Sequence, residues 1–309
     1  SDDAPRLNPN FVARYGFDNT ASFDGKSILL HRFGFNWTAT DKLTLSGGLG
    51  KYSGGKPNVW LSNAYTNDGL TIVSPNLSGV NPDDYLTNVD ITQVDASVLN
   101  AMSAGDGNAT PIDHNFDLPS HWQYSLAANY IADLGVFGND WELNAEVIYK
   151  EIEEDVKWVD LARVQTGTTV SGAPIYSSFD PVTNNSNHYD LMLTNSKGGE
   201  STIFTFSMDK SFDSGIDLNF SYTNQDVKDR VPGTSSTAES NYQYTGVIDR
   251  NNPEVATAAY QVEHRLALNL DYKTEIFEGY TTTFGLFMER VSGRPYSWSL
   301  GAFRDSDFG

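Results

Sequence analysis

Trp141-Glu142-Leu143-Asn144-Ala145-Glu146-Val147-Ile148-Tyr149-Lys150 sorts its side chains by parity. Successive side chains of a β-strand point to opposite faces. Trp141, Leu143, Ala145, Val147 and Tyr149 therefore share one face, and Glu142, Asn144, Glu146 and Lys150 share the other, with Ile148 the single exception. The apolar face carries an aromatic ring at each end. A strand with one side in lipid and the other in water has this pattern.

The same two-residue period recurs along the chain. It is found at Phe11 to Phe17, Phe33 to Trp37, Leu43 to Leu49, Trp122 to Tyr130, Phe204 to Met208, Ile216 to Tyr222, Val262 to Tyr272 and Phe284 to Met288. A soluble β-sandwich alternates in the same way, so the period alone does not decide the fold. Segment length does more, because several of these runs reach ten residues, where ordinary strands have about five or six. Trp122 and Tyr130 are eight residues apart, as are Trp141 and Tyr149. At about 3.3 Å per residue and a tilt of about 40°, that spacing spans roughly 20 Å of height. The apolar band between the aromatic girdles of a membrane barrel is about 25 Å tall.

The connections alternate as well. Short turns are expected at 39–41, 133–140, 213–215 and 276–281, and long polar loops at about 54–119, 161–187 and 229–259. Lys197-Gly198-Gly199 would break the alternation as a turn, so 188–210 is read as one strand projecting beyond the membrane. This gives about nine strands. Single-chain bacterial barrels have an even number, so further strands are expected outside 1–309. The fold expected is all-β: an antiparallel transmembrane β-barrel segment, incomplete, with long extracellular loops and short periplasmic turns.

Composition narrows the function. Forty Asp and Glu against twenty Lys and Arg give a net charge of −20, which makes nucleic acid an improbable partner. No run of about 18 apolar residues exists to form a spanning helix. The mean hydropathy of −0.41 does not exclude a barrel, in which only alternate residues meet lipid. With no cysteine, thiolate metal sites and cysteine nucleophiles are absent.

Catalytic and metal motifs are absent too. The five histidines (His31, His114, His121, His188, His264) show no metal-ligand spacing and read as surface or strand-face residues. Glu153-Glu154-Asp155 has the paired carboxylates that glycoside hydrolysis uses, but reads as a solvated edge beyond the apolar band. Asp305-Ser306-Asp307-Phe308-Gly309 is too short for a calcium loop. Neither a Walker A sequence nor a G-x-S-x-G elbow occurs. No catalytic residue, metal or cofactor is expected, and the protein is not read as an enzyme.

Two motifs remain. Gly47-Gly48-Leu49-Gly50-Lys51-Tyr52-Ser53-Gly54-Gly55-Lys56-Pro57-Asn58-Val59-Trp60-Leu61-Ser62-Asn63 leads from a strand into a long loop, and Gly293-Arg294-Pro295-Tyr296-Ser297-Trp298 ends the last strand. Glycine within a strand marks a bend, a bulge or a close approach. The functional reading places Asn58, Trp60, Asn63, Tyr65, Arg294, Tyr296 and Trp298 in the external vestibule where a ligand lands, since aromatics and arginine anchor such surfaces.

These motifs, with Gly34-Phe35-Asn36-Trp37, Leu118-Pro119-Ser120-His121-Trp122, Leu193-Thr194-Asn195 and Ser235-Ser236-Thr237-Ala238 in order along the chain, resemble the Oar-like subgroup of TonB-dependent outer-membrane receptors. The resemblance implies part of a barrel of about 22 strands, without the N-terminal plug and the TonB-binding box of such receptors. It implies a Gram-negative outer membrane, outer-membrane lipid as a partner, the TonB system reached through the plug, and uptake of an unidentified scarce ligand. The alternation itself implies that Glu142, Glu146, Asp217, Arg265 and Asp271 face the lumen. Two other readings stay open: a surface-adhesion or structural outer-membrane protein, and a secreted soluble glycan-binding β protein.

Overall fold

The computed structural model describes residues 4–54, 58–71, 107–178, 188–231 and 233–297. The chain runs α1 (Pro9–Tyr15), β1 (Arg32–Thr40), β2 (Leu43–Ser53), α2 (Val59–Thr66), β3 (Ser120–Ala132), β4 (Trp141–Asp160), β5 (Arg163–Thr168), β6 (Pro174–Ser178), β7 (Leu191–Ser196), β8 (Glu200–Ser211), β9 (Ile216–Asp229), α3 (Ala238–Gln243), β10 (Ala256–Thr257), β11 (His264–Phe277) and β12 (Tyr280–Val291). The main sheet has the order β1-β2-β3-β4-β8-β9-β11-β12, each neighbour antiparallel to the next, with β7 on β4 and β10 on β9. β1 and β12 are its open edges.

One expected strand is a helix. The alternation at Phe11, Ala13, Tyr15 and Phe17 suggested a strand, yet Pro9–Tyr15 is α1. Local chemistry outweighs the period here. The Asn8 side chain accepts from the amides of Asn10 and Phe11, and Pro9 stands at the first helical position, where its missing N–H costs nothing. Gly16 ends the helix in the left-handed region at φ 76°. Among the described residues the main sheet thus has eight long strands, and the odd count behind the expectation of missing strands no longer stands.

Residues directly opposite in an antiparallel pair share a face, so the register can be followed across the whole sheet. One row runs Phe35, Gly47, Leu126, Val147, Phe204. Another runs Leu43, Tyr130, Leu143, Met208, Phe220, Leu268, Met288. All these rows lie on one face, and no layer among the described residues covers it: Phe33 is 65% exposed, Leu126 51% and Leu286 57%. The opposite face carries rows such as Ala127, Glu146, Thr205, Thr223, Arg265. Ile148 is the exception here too, paired with Ile203 on the polar side.

The apolar band crosses the strands obliquely. The row through Phe35 reaches Asn224 on β9 and His264 on β11. On β12 the band centres on Leu286, which faces Leu270, six residues beyond His264. Six residues are about 20 Å, and seven steps between strands are about 34 Å. The strands are therefore tilted by roughly 30° to the band, near the 35–45° of membrane barrels. The sheet is an antiparallel transmembrane β-barrel segment, open between β1 and β12. No helix among the described residues is long and apolar enough to cross a membrane.

All four short connections lie at one end: after Thr40, at 133–140, at 212–215 and at 278–279. The long connections lie at the other end. There β4 continues for nine residues past Glu151, roughly 30 Å. β7 and β8 both pair with it, and the step from Glu151↔Glu200 to Asp155↔Ser196 leaves the register unchanged. The stretch 188–210 is thus one projecting path, interrupted at Lys197–Gly199 but never reversed.

The packed core lies among these projections. Trp60, Ile112, Phe116, Val156, Trp158, Leu191 and Leu193 are buried together there. α2, α3 and the N-terminal segment with α1 contribute to the burial. A cap with a water-excluding interior therefore stands on the long-loop end of a wall that has none. The loops expected at 54–119, 161–187 and 229–259 contain α2, the β5–β6 hairpin and α3 respectively.

Candidate functional site

The cap and the polar face of the sheet meet at the mouth. On the polar face, Glu142, Glu146, Asp217, Arg265 and Asp271 share one side of the sheet by register. Three of them have local partners. Arg265 Nε lies 2.7 Å from Glu289 Oε1, Lys273 Nζ lies 2.7 Å from Asp217 Oδ2, and Asn269 Nδ2 donates to Asp271 Oδ2 at 2.9 Å. This face of the sheet thus carries paired charges and amides.

The seven vestibule candidates separate. Trp60, on α2, is 3% exposed. Its indole N–H donates to Ser235 O at 2.7 Å, and its ring meets Trp158 edge-on at 5.0 Å. It is a core residue of the cap and presents no face to a ligand. Asn63 is half-buried and donates to Ser236 O at 3.1 Å, while its own carbonyl accepts from the Thr110 hydroxyl at 2.8 Å. Both therefore fasten α2 to neighbouring loops. Asn58 and Tyr65 are exposed at the ends of that helix, and Arg294 and Tyr296 are exposed past the end of β12. Trp298 lies outside the described residues. The segment after β12 approaches Gly246 through Ser297.

The glycine-rich run has a packing reason. Gly47 faces outward, and a Cβ there would come within 2.7 Å of the Phe35 ring and of Ser125 O. The ring lies over a bare backbone, which only glycine supplies.

Sequence reasoning missed the buried polar centre of the cap. Asp190 is fully buried. Its Oδ2 accepts from Tyr15 OH at 2.8 Å and His188 Nε2 at 2.9 Å, and lies 3.1 Å from Arg14 Nη2. Its Oδ1 accepts from the Ala109 amide at 2.8 Å. The Asp190 amide donates to Asp160 Oδ1 at 3.1 Å, and Arg163 Nε lies 3.0 Å from Asp160 Oδ2. Burial pushes the Asp160 carboxyl up to about 6, against the pull of Arg163. Burial, reinforced by Asp190, raises the Tyr15 hydroxyl beyond its ordinary range. His188, expected on a surface or strand face, is instead a buried partner of Asp190. Such a centre needs residues far apart in sequence, and no local spacing announces it.

Glu153-Glu154-Asp155 is not a solvated edge either. The three lie mid-strand in β4 because the strand continues into the cap. Glu153 pairs with Lys51 at 2.7 Å, Glu154 with Lys197 at 3.0 Å, and Asp155 is buried. Glu154 and Asp155 border a cleft of about 130 Å³ where β3, β4 and the end of β9 pass under the cap. Asp229, Tyr260, Ile152, Val231, Ser120 and His121 also line it. The His121 ring stacks on Tyr52 at 5.6 Å, and the Arg32 guanidinium lies 4.4 Å from the Tyr52 centroid, so a cation–aromatic stack leads along the mouth to this cleft. Among the described residues, no group of three His, Asp or Glu could hold a metal ion.

A scan against protein-family models finds no match, and a search of curated proteins finds none. Among solved structures, the chain is similar to the siderophore receptor PirA from Pseudomonas aeruginosa (11% identity, TM-score 0.38, covering 87% of this chain and 36% of that one). It is similar to the outer membrane transporter YddB from Escherichia coli (10%, 0.44, 89% and 30%). It is also similar to the ferric enterobactin receptor PfeA from Pseudomonas aeruginosa (15%, 0.35, 85% and 29%). The chain spans about a third of the length of each.

Proposed function

We propose that this chain forms part of the wall and the outer mouth of a Gram-negative outer-membrane receptor that takes up a scarce ligand by a TonB-dependent route. The observation that carries the reading is the uncovered apolar band, oblique to the strands and continuous from β1 to β12. A soluble protein hides such a face against a second layer, and among the described residues the packed layer is the cap at one end. Lipid is the partner that an exposed band of this kind requires. The polar face, with Glu142, Glu146, Asp217, Arg265 and Asp271, lines the passage, and the cap is where ligand lands. The order of motifs shared with Oar-like receptors supports the TonB-dependent route.

The test has two parts. In cells, the full-length protein should fractionate with the outer membrane and migrate faster on gels before boiling than after. Uptake of its ligand should then stop when the inner-membrane energy source is removed. A soluble, monodisperse protein without detergent would overturn the membrane reading. Outer-membrane location without energy-dependent uptake would leave the wall and refute transport.

A further inference from the structure

We infer that the mouth end of β1 to β4 binds a small molecule bearing carboxylate or phosphate groups, held between Arg32 and Lys150 on the polar face. The register places Arg32, Gly50, Gln123 and Lys150 in one row of that face, with Tyr52 and His121 in the next. Gly50 leaves a gap in this row: a Cβ there would lie 3.0 Å from Arg32 Cγ and 3.2 Å from the Tyr52 ring. The Arg32 stem crosses the gap, and its guanidinium carbon lies 4.4 Å from the Tyr52 centroid. Tyr52 in turn stacks on His121, with ring centroids 5.6 Å apart and planes at 16°. Lys150 is diagonal to His121 across β3 and β4, within reach of a long side chain, and its charge is felt at the imidazole. The two cations thus converge on one ring stack from either side.

Neither cation is committed to an acid. Among the described residues, Arg32 and Lys150 have no carboxylate within ion-pair distance, whereas Lys42, Lys51, Lys197, Lys228, Arg265 and Lys273 each have one. That is the reverse of what a net charge of −20 would supply by chance. On the same face of β4, Glu146 is four residues from Lys150, about 13 Å away. Glu151, next in sequence, points to the other face. Arg32 is exposed, and Tyr52, His121, Gln123 and Lys150 are half-buried, so the stack is open to the passage. One row toward the short-turn end lie Gly34, Gly48 and Ser125, a floor of nearly bare backbone on which the body of a ligand can rest. A guanidinium offers a planar fork and an ammonium a point charge, and both select oxyanions.

The inference rests on the reading that this face lines the passage. The full-length protein, purified in detergent micelles, is titrated by calorimetry with citrate, with fructose 1,6-bisphosphate and with fructose. Saturable binding of at least one anion is expected, with fructose at least tenfold weaker. The preferred anion tells carboxylate from phosphate. Arg32→Gln and Lys150→Gln should each weaken binding about tenfold, the ordinary effect of a lost charge-assisted hydrogen bond. Gly34→Val removes no charge but raises a side chain from the floor, where its Cβ would meet only Gly47 O at 3.6 Å; it should weaken binding severalfold. Lys42→Gln, the same loss of charge at the short-turn end, should bind like the parent. Gel mobility before and after boiling reports folding of each variant, and the titration of the parent stands without them. Binding of neither anion, equal binding of fructose, folded Arg32→Gln and Lys150→Gln variants that bind like the parent, or an equal loss in Lys42→Gln would overturn the inference. A protein found in the outer membrane that binds neither anion refutes only this inference, whereas a protein found outside it refutes the receptor reading.

Discussion

The wall and the cap use the same amino acids in opposite ways. In the wall, Phe33, Leu126 and Leu286 point away from the protein; in the cap, Trp60, Trp158 and Leu191 point into it. Among the described residues the wall has backbone pairing between its strands and no core, whereas the cap has a core assembled from fragments. The difference teaches that solvent, more than sequence period, decides what an apolar face is for. β4 shows both regimes along one strand: Val147 is outward and exposed, and Trp158, eleven residues later, is 2% exposed.

The largest test of this contrast is Trp158→Ala. Losing a buried indole should cost about 3–5 kcal/mol, confined to the cap. Hydrogen exchange should accelerate at Leu191 and Leu193, whose amides donate to Ala109 O and Pro111 O, while β1 to β3 stay protected. Loss of protection across the wall as well would show that the two are one cooperative unit. Next comes Val147→Arg, which should cost about 2–4 kcal/mol in lipid vesicles if the band sits at the midplane. Glu146→Leu, one residue away on the polar face, should cost much less; a reversed order would invert the two faces.

A smaller effect separates the regions by pH. Burial raises the Asp160 carboxyl to about 6, so the fold disfavours its charged form. Its unfavourable contribution is fully present well above pH 6 and fades as the pH falls through about 6 toward the ordinary carboxylate range. The cap should therefore gain about 1 kcal/mol from this group between pH 7.5 and pH 5. Urea midpoints read from tryptophan fluorescence would show it, and Asp160→Asn should flatten the dependence. Smallest of all, Arg265→Gln breaks an exposed pair with Glu289 and should change stability by a few tenths of a kcal/mol. A large loss on equilibrium unfolding would mean that this charge is shielded from water in the assembled barrel.

The wall was legible because its rule is local. Parity along Trp141 to Tyr149 and along Phe284 to Met288 is set by backbone geometry, and the register then joins the strands without altering it. The cap was not legible, because its rule is long-range. Trp60 and Arg294 have the same look in sequence, a surface anchor near a glycine, yet the first packs on Trp158 and the second lies at the surface. Asp190 joins Arg14, Tyr15, His188 and Ala109 across distant segments. The N-terminal helix failed the parity rule for a different reason: Asn8, Pro9 and Gly16 are helix punctuation, and punctuation outranks a four-residue alternation.

The unbroken register of β4 against β7 and β8 carries a consequence for biogenesis. Val156 and Trp158 are cap-core residues on β4, which begins in the wall, and Leu191 and Leu193 are on β7, whose path runs in unbroken register into β8 of the wall. The cap's interior thus has no scaffold until those strands have zipped together outward from the bilayer. The outer surface matures last, and a protease supplied during insertion should cut the loops on 58–71 and 229–259 while the strands beneath already resist it.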